Sequence, residues 1–194
     1  MSLSRQRIAD VILKPGTGWT EIKNEKLPAK KLFVTYALTL AIVPAAVQFI
    51  KMSVIGTALL GLRFRVPVAV GLVHACLYYV LSLAGVFALA SLVFALAPSF
   101  RSRKDFDLAA SLAVFSVIPT WLGEVLILLP YIGFIWVFVA LWGLVLLYLG
   151  LPVVMETPRD QLLMYFIVIM ISGFVIIPLV SIIPNLFFPG LPAL

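Results

Sequence analysis

Of 194 residues, 63% are hydrophobic and only 11% are charged, against roughly one quarter charged in ordinary soluble domains. That balance excludes a conventional soluble domain and points to the membrane class. The formal charge of +6 does not read as a nucleic-acid surface, because seven of the fourteen basic residues lie before Leu32, where anionic lipid headgroups are the natural counterions, and no basic-aromatic platform appears.

Residues 3–26 predict short amphipathic pieces lying at a membrane surface. Leu3, Ile8, Val11 and Ile12 share one helical face, with Arg5, Arg7 and Lys14 in the headgroup zone. Pro15 and Gly16 end that piece, and Trp19 and Ile22 mark the apolar side of a second. The opening carries no continuous apolar core of a removable signal, so the first long apolar run is expected to direct insertion.

Five apolar runs follow, each near the roughly 20 residues needed to cross about 30 Å of hydrocarbon. Their expected bounds are 32–50, 66–97, 108–130, 131–150 and 162–183, giving an all-α, polytopic helical membrane bundle with about five spans, several of them proline-broken. Pro44, Pro119, Pro130 and Pro178 are the expected breaks. Residues 1–31 form a short amphipathic segment and residues 32–194 the membrane domain. The stretch 52–66, with Gly56, Gly61, Arg63 and Arg65, reads as an interfacial continuation or loop. The near absence of a loop at Pro130 makes the third and fourth spans an antiparallel pair, and Trp121 and Tyr148 are expected as boundary anchors.

Charge sets the expected orientation. With the N-terminus cytoplasmic, the N-terminal segment, the 98–107 connection and the 151–161 connection place eleven basic residues inside, leaving Lys51, Arg63 and Arg65 outside, as the positive-inside rule favours.

Few residues carry chemistry. Glu124 is the one acidic side chain within an apolar run; since burying it ionised is costly, it reads as a boundary residue, a structural contact, or a site for a ligand or proton. His74, with Tyr78 one turn on, is a possible partner for it, although a packed imidazole is the plainer reading. Glu156, Arg159 and Asp160 form the polar island METPRDQ, read either as a solvated turn or as a docking surface for a cytoplasmic partner. Cys76, the only cysteine, excludes an intrachain disulfide and a Cys-rich metal site, and reads as a small buried hydrophobe. No metal-protease, phosphate-loop, nucleophile-elbow or dinucleotide motif is present, so no catalytic residue, metal or cofactor is expected.

Four stretches carry a resemblance: the segment with Trp19, Ile22 and Glu25, TYALTLAIVPAAVQFI at 35–50, FSVIPTWLGEVLILLP at 115–130, and above all LLYLGLPVVMETPRDQLLMY at 146–165. In these the chain resembles the Yip1-domain membrane family in its compact prokaryotic form. Glu124 departs from the small or apolar residues of that part of the pattern. The resemblance implies a five-span helical protein with a cytoplasmic N-terminus, in a bacterial inner membrane, and no catalytic centre. It favours a scaffold or partner-binding factor in membrane organisation or trafficking, with lipids, a second copy or another membrane protein as partners and no nucleic acid. A small transporter or channel using a polar site near Glu124 is the alternative.

Overall fold

The computed structural model describes residues 2–59, 62–129 and 131–186. An apolar run in lipid has no water to satisfy its peptide groups, so it closes its hydrogen bonds within itself as helix. Four helices are long and apolar enough to cross a membrane: α3 (Ala29–Ile55), α4 (Val68–Phe100), α5 (Phe106–Leu128) and α6 (Ile135–Val154). They are preceded by α1 (Ser2–Leu13) and α2 (Pro15–Glu25) and followed by α7, Arg159–Leu186. The third and fourth runs pack as the expected antiparallel pair, α5 against α6.

Helix α5 is the centre of the bundle: 61% of its most apolar window is buried, against 28–39% in the other three. Its side chains Leu112, Phe115 and Ile118 are sealed among Trp19, Tyr36, Val93, Leu146 and Leu151. The outward apolar residues, such as Val73, Val80 and Phe87 on α4 and Phe138, Leu141 and Val145 on α6, need no protein partner when the surrounding solvent is hydrocarbon.

Of the prolines expected to break spans, Pro44 follows a turn at Ala41 in α3, while Pro119 falls within continuous helix in α5. Pro152 lies inside α6. Further irregularities are not at prolines. Helix α3 is wound as a π-helix over Phe33–Ala37 and again over Ile50–Ile55. Helix α5 tightens into a 3-10 turn at Glu124–Leu128. Pro130, Pro189 and Pro192 lie outside the described residues.

Two ends of the bundle differ in kind. At one, α3 leaves through Gly56, whose φ of 85° is accessible at little cost only to glycine. The chain then forms a two-stranded antiparallel hairpin, β1 (Thr57–Leu59) and β2 (Leu62–Phe64), with Thr57 opposite Phe64 and Leu59 opposite Leu62. This is where the sequence predicts an interfacial loop; a three-residue strand is too short to show an alternation. The α5–α6 connection lies at this same hairpin end.

The opposite end is tied by polar side chains. Asp105 caps α5 by accepting from the backbone N–H groups of Asp107 (3.1 Å) and Leu108 (3.3 Å), and the Ala29 N–H at the start of α3 donates to Asp107 Oδ1 at 2.7 Å.

The N-terminal helices are not lying loosely on a surface. Trp19 and Ile22 are sealed in the core, because α2 packs along α6. Gly150 makes this possible: a Cβ there would stand 2.8 Å from Trp19 Cε2 and 2.3 Å from Leu112 Cδ1. The Trp142 Nε1–H donates to the Ile12 carbonyl at 3.1 Å. Trp142 is twelve residues before Val154, so the α1–α2 turn reaches about 18 Å along α6 from its clasped end at 1.5 Å per residue. Trp121 is also buried in the bundle rather than anchoring a boundary, and Tyr148 packs edge-on against Phe166. Cys76 lies on the exposed face of α4, not in the core.

Candidate functional site

Two constellations contain the polar residues that the sequence singles out. The first is inside the bundle, toward the hairpin end. Glu124 opens the 3-10 turn of α5 and is only 4% exposed. The Tyr78 hydroxyl, from α4, donates to its Oε1 at 3.2 Å. Gln48 on α3 lies beside that hydroxyl, and Lys51, one turn on, is near enough to act on Glu124 electrostatically. Glu124 Oε2 has no hydrogen-bond partner among the described residues. Three helices thus bring one carboxylate, one phenol, one amide and one ammonium to the same level of the bundle.

His74 is buried on α4 one turn before Tyr78. The group that the structure sets against the carboxylate is Tyr78, the residue read from the sequence only as a neighbour of His74. Glu124 is enclosed by the bundle, four residues before the end of α5 at Leu128. Lys51 and Gln48 were not singled out, and the available signal was their place in α3: two polar side chains three residues apart at the end of an otherwise apolar helix.

Beside Glu124 lies a half-open cavity of about 440 Å³ between α4, α5, α6 and α7. Tyr78, Glu124 and Trp136 line one end of it and Leu89, Val117 and Leu147 the other. Among the described residues no group of three or more His, Cys, Asp and Glu side chains is arranged to hold a metal ion.

The second constellation is the clasp at the opposite end. Lys23 on α2 pairs with Glu156 at 2.9 Å, Arg103 reaches Glu156 at 3.3 Å and Asp105 at 3.6 Å, and Arg101 pairs with Asp160. Backbone bonds reinforce the charges: the Arg103 N–H donates to the Met155 carbonyl at 2.8 Å, and the Ser102 hydroxyl donates to Thr157 Oγ1 at 2.9 Å. Glu156 adopts φ of 55°, turning the chain sharply between α6 and α7. The hydrogen bond from Lys23, together with the charges of Lys23 and Arg103, holds the Glu156 carboxyl below the ordinary carboxylate range. The METPRDQ island is exposed at Glu156, Arg159 and Asp160, and Glu156 and Asp160 are both engaged in ion pairs within the chain. Arg159 is exposed and takes no part in an ion pair among the described residues.

The two constellations use the stretches that carried the family resemblance, 115–130 and 146–165, and the Yip1 domain matches the chain over residues 9–182. The chain belongs to the Yip1-domain family. The match takes in α2, all four long apolar helices and most of α7, so this Yip1 domain includes both the cavity and the clasp. No curated protein and no solved structure gives a significant match to the chain.

Proposed function

We propose that this Yip1-domain protein is a non-enzymatic membrane scaffold that binds a partner, another membrane protein or a second copy, at its clasped end. In this reading α7, 28 residues long and so about 42 Å, is the fifth span. The clasped end is cytoplasmic, since the segments that meet there, 1–31, 98–107 and 151–161, contain eleven of the fourteen basic residues, and the membrane is a bacterial inner membrane.

The observation that carries the reading is the assembly of the clasp. Segments far apart in sequence, Lys23, Arg101–Asp105 and Glu156–Asp160, are joined by ion pairs and backbone hydrogen bonds. A surface ordered before its partner arrives loses less entropy on binding than a set of loose loops. Arg159 stands exposed on that surface outside the ion pairs.

The test is site-specific photocrosslinking in native membranes from a position beside Arg159, in the wild type and in Arg159→Glu. A defined crosslinked partner whose yield falls about tenfold in the variant, at unchanged expression, is the expected result. A crosslinking pattern indifferent to Arg159→Glu sinks the proposal. The cavity at Glu124 favours a second reading, a small transporter or channel, which requires substrate flux in proteoliposomes that Glu124→Gln abolishes.

A further inference from the structure

The cavity beside Glu124 has the proportions and polarity of a lipid site. Along α4 it runs from Tyr78 to Leu89 and along α6 from Trp136 to Leu147, eleven residues on each helix and therefore about 16 Å at 1.5 Å per residue. That is close to half of the roughly 30 Å hydrocarbon thickness, the depth of one leaflet. The two walls agree in direction as well as length. Tyr78, Glu124 and Trp136 lie toward the hairpin end; Leu89, Val117 and Leu147 lie toward the middle of the bundle. Val137 and Leu141 line the cavity and are about half exposed, at 49% and 51%, so its α6 wall is continuous with the surface that faces lipid.

The polar end is built and incompletely satisfied. Glu124 is 4% exposed, its Oε1 accepts from Tyr78, Lys51 acts on it only electrostatically, and its Oε2 has no hydrogen-bond partner among the described residues. The buried Trp136 Nε1–H also lacks an acceptor there. Buried polar atoms are ordinarily paired, and an ionised carboxylate can be satisfied only by donors. Both residues line the cavity, with these two atoms turned away from its open space. Rotation about the terminal carboxylate torsion, which is broad and two-fold, presents an oxygen of Glu124 to an occupant. The missing complement is therefore a head with a strong N–H donor for Glu124 and an acceptor for Trp136, attached to an apolar tail.

We infer that the cavity between α4, α5, α6 and α7 binds one membrane lipid with a primary-ammonium headgroup, its ammonium on Glu124, an ester or phosphate oxygen on Trp136, and an acyl chain along Leu89, Val117 and Leu147. A zwitterionic aminophospholipid supplies all three parts from the bilayer itself. An anionic phospholipid without an amine brings no comparable donor to the carboxylate. The site stands independently of the scaffold reading, and it needs no passage of the lipid across the membrane.

The test is native mass spectrometry of the full-length protein exchanged into micelles containing phosphatidylethanolamine or phosphatidylglycerol of identical acyl chains. The wild type is expected to retain one phosphatidylethanolamine at about a tenfold lower lipid concentration than phosphatidylglycerol. Glu124→Gln is expected to reduce that retention to the phosphatidylglycerol level, and Ala140→Phe, which fills the cavity from its α6 wall while leaving Glu124 in place, to abolish both. Equal retention of the two lipids by the wild type overturns the inference, as does an amine preference unmoved by either variant. Should Glu124→Gln fail to fold, the comparison between wild type and Ala140→Phe decides on the same readout. A crosslinking pattern indifferent to Arg159→Glu, with the lipid adduct retained, would count against the scaffold reading alone.

Discussion

The two polar regions of this bundle contain similar residues and do opposite things with them. At the clasp, Glu156 meets Lys23 and Arg103, Asp160 meets Arg101, and the backbone of Arg103 is bonded to Met155. At the cavity, Glu124 has one phenol hydrogen bond, the field of Lys51, and an oxygen with no hydrogen-bond partner among the described residues, although it is far more deeply buried than any carboxylate of the clasp. Burying a polar atom without a hydrogen bond is costly and exposed pairing contributes little. The distribution is therefore the reverse of what stability alone would arrange. Groups paired within the chain hold segments in register; a buried group left short of partners is where something from outside the chain can add binding energy.

That contrast can be broken from its strong side first. Trp19 anchors α2 to the core beneath the clasp, and replacing a sealed tryptophan by alanine typically costs about 3–5 kcal/mol. Trp19→Ala is thus expected to lower the unfolding midpoint in detergent by more than the loss of a helix cap or of an exposed ion pair does, and to free α2 for proteolysis near Lys23 and Lys26. Trp19→Ala with an unchanged midpoint and unchanged protease resistance would mean that α2 is not part of the folded unit.

A smaller effect is expected at Asp105. Removal of an N-cap aspartate costs about 0.5–2 kcal/mol, and at this position the cap also orients Asp107, which accepts from Ala29. Asp105→Ala should loosen the start of α5, visible as faster amide exchange at Asp107 and Leu108, while lipid retention at the far end stays at the wild-type level.

The smallest effect belongs to Glu156. Exposed ion pairs are worth about 0–1 kcal/mol and weaken with salt, so Glu156→Gln should cost no more than that at low ionic strength. The sign with pH follows from the depressed carboxyl. Its contribution is complete above the ordinary value of 4.5 and is lost as pH falls through the lower folded value. The stability gap between wild type and Glu156→Gln should therefore persist at pH 6 and close on acidification below about pH 4, near the ordinary range for glutamate. A gap that widens on acidification would contradict the pairing with Lys23 and Arg103.

Much of the fold was legible because hydrophobic length is a local property. The four long apolar helices fall within a few residues of their expected bounds, and the lone charge of Glu124 announced itself in an apolar run. What stayed illegible depends on who meets whom. Trp19 sits among lysines and glutamates and reads as a surface residue until Gly150, 131 positions later, opens room for its ring. The charges of METPRDQ read as free until Lys23 and Arg101–Arg103 are folded onto them. The cavity is least legible of all: its walls are ordinary span residues on four helices, and nothing in any one helix distinguishes a leucine facing a void from a leucine facing lipid.

The bond between Trp142 and Ile12 also sets an order of events during synthesis. The two residues are 130 positions apart, so at about 5–20 residues per second the ribosome needs roughly 6–26 s to make the second after the first. Through that interval α1 and α2 exist without the helix they dock on. Arg7 then has Glu25 within the pair of helices, Lys14 and Lys23 have headgroups to meet, and Trp19 has no Gly150 to pack on. The surface-lying amphipathic pieces read from the sequence are thus a fair picture of the nascent chain, and the packed α1 and α2 of the folded protein are what arrival of the fourth long helix makes of them.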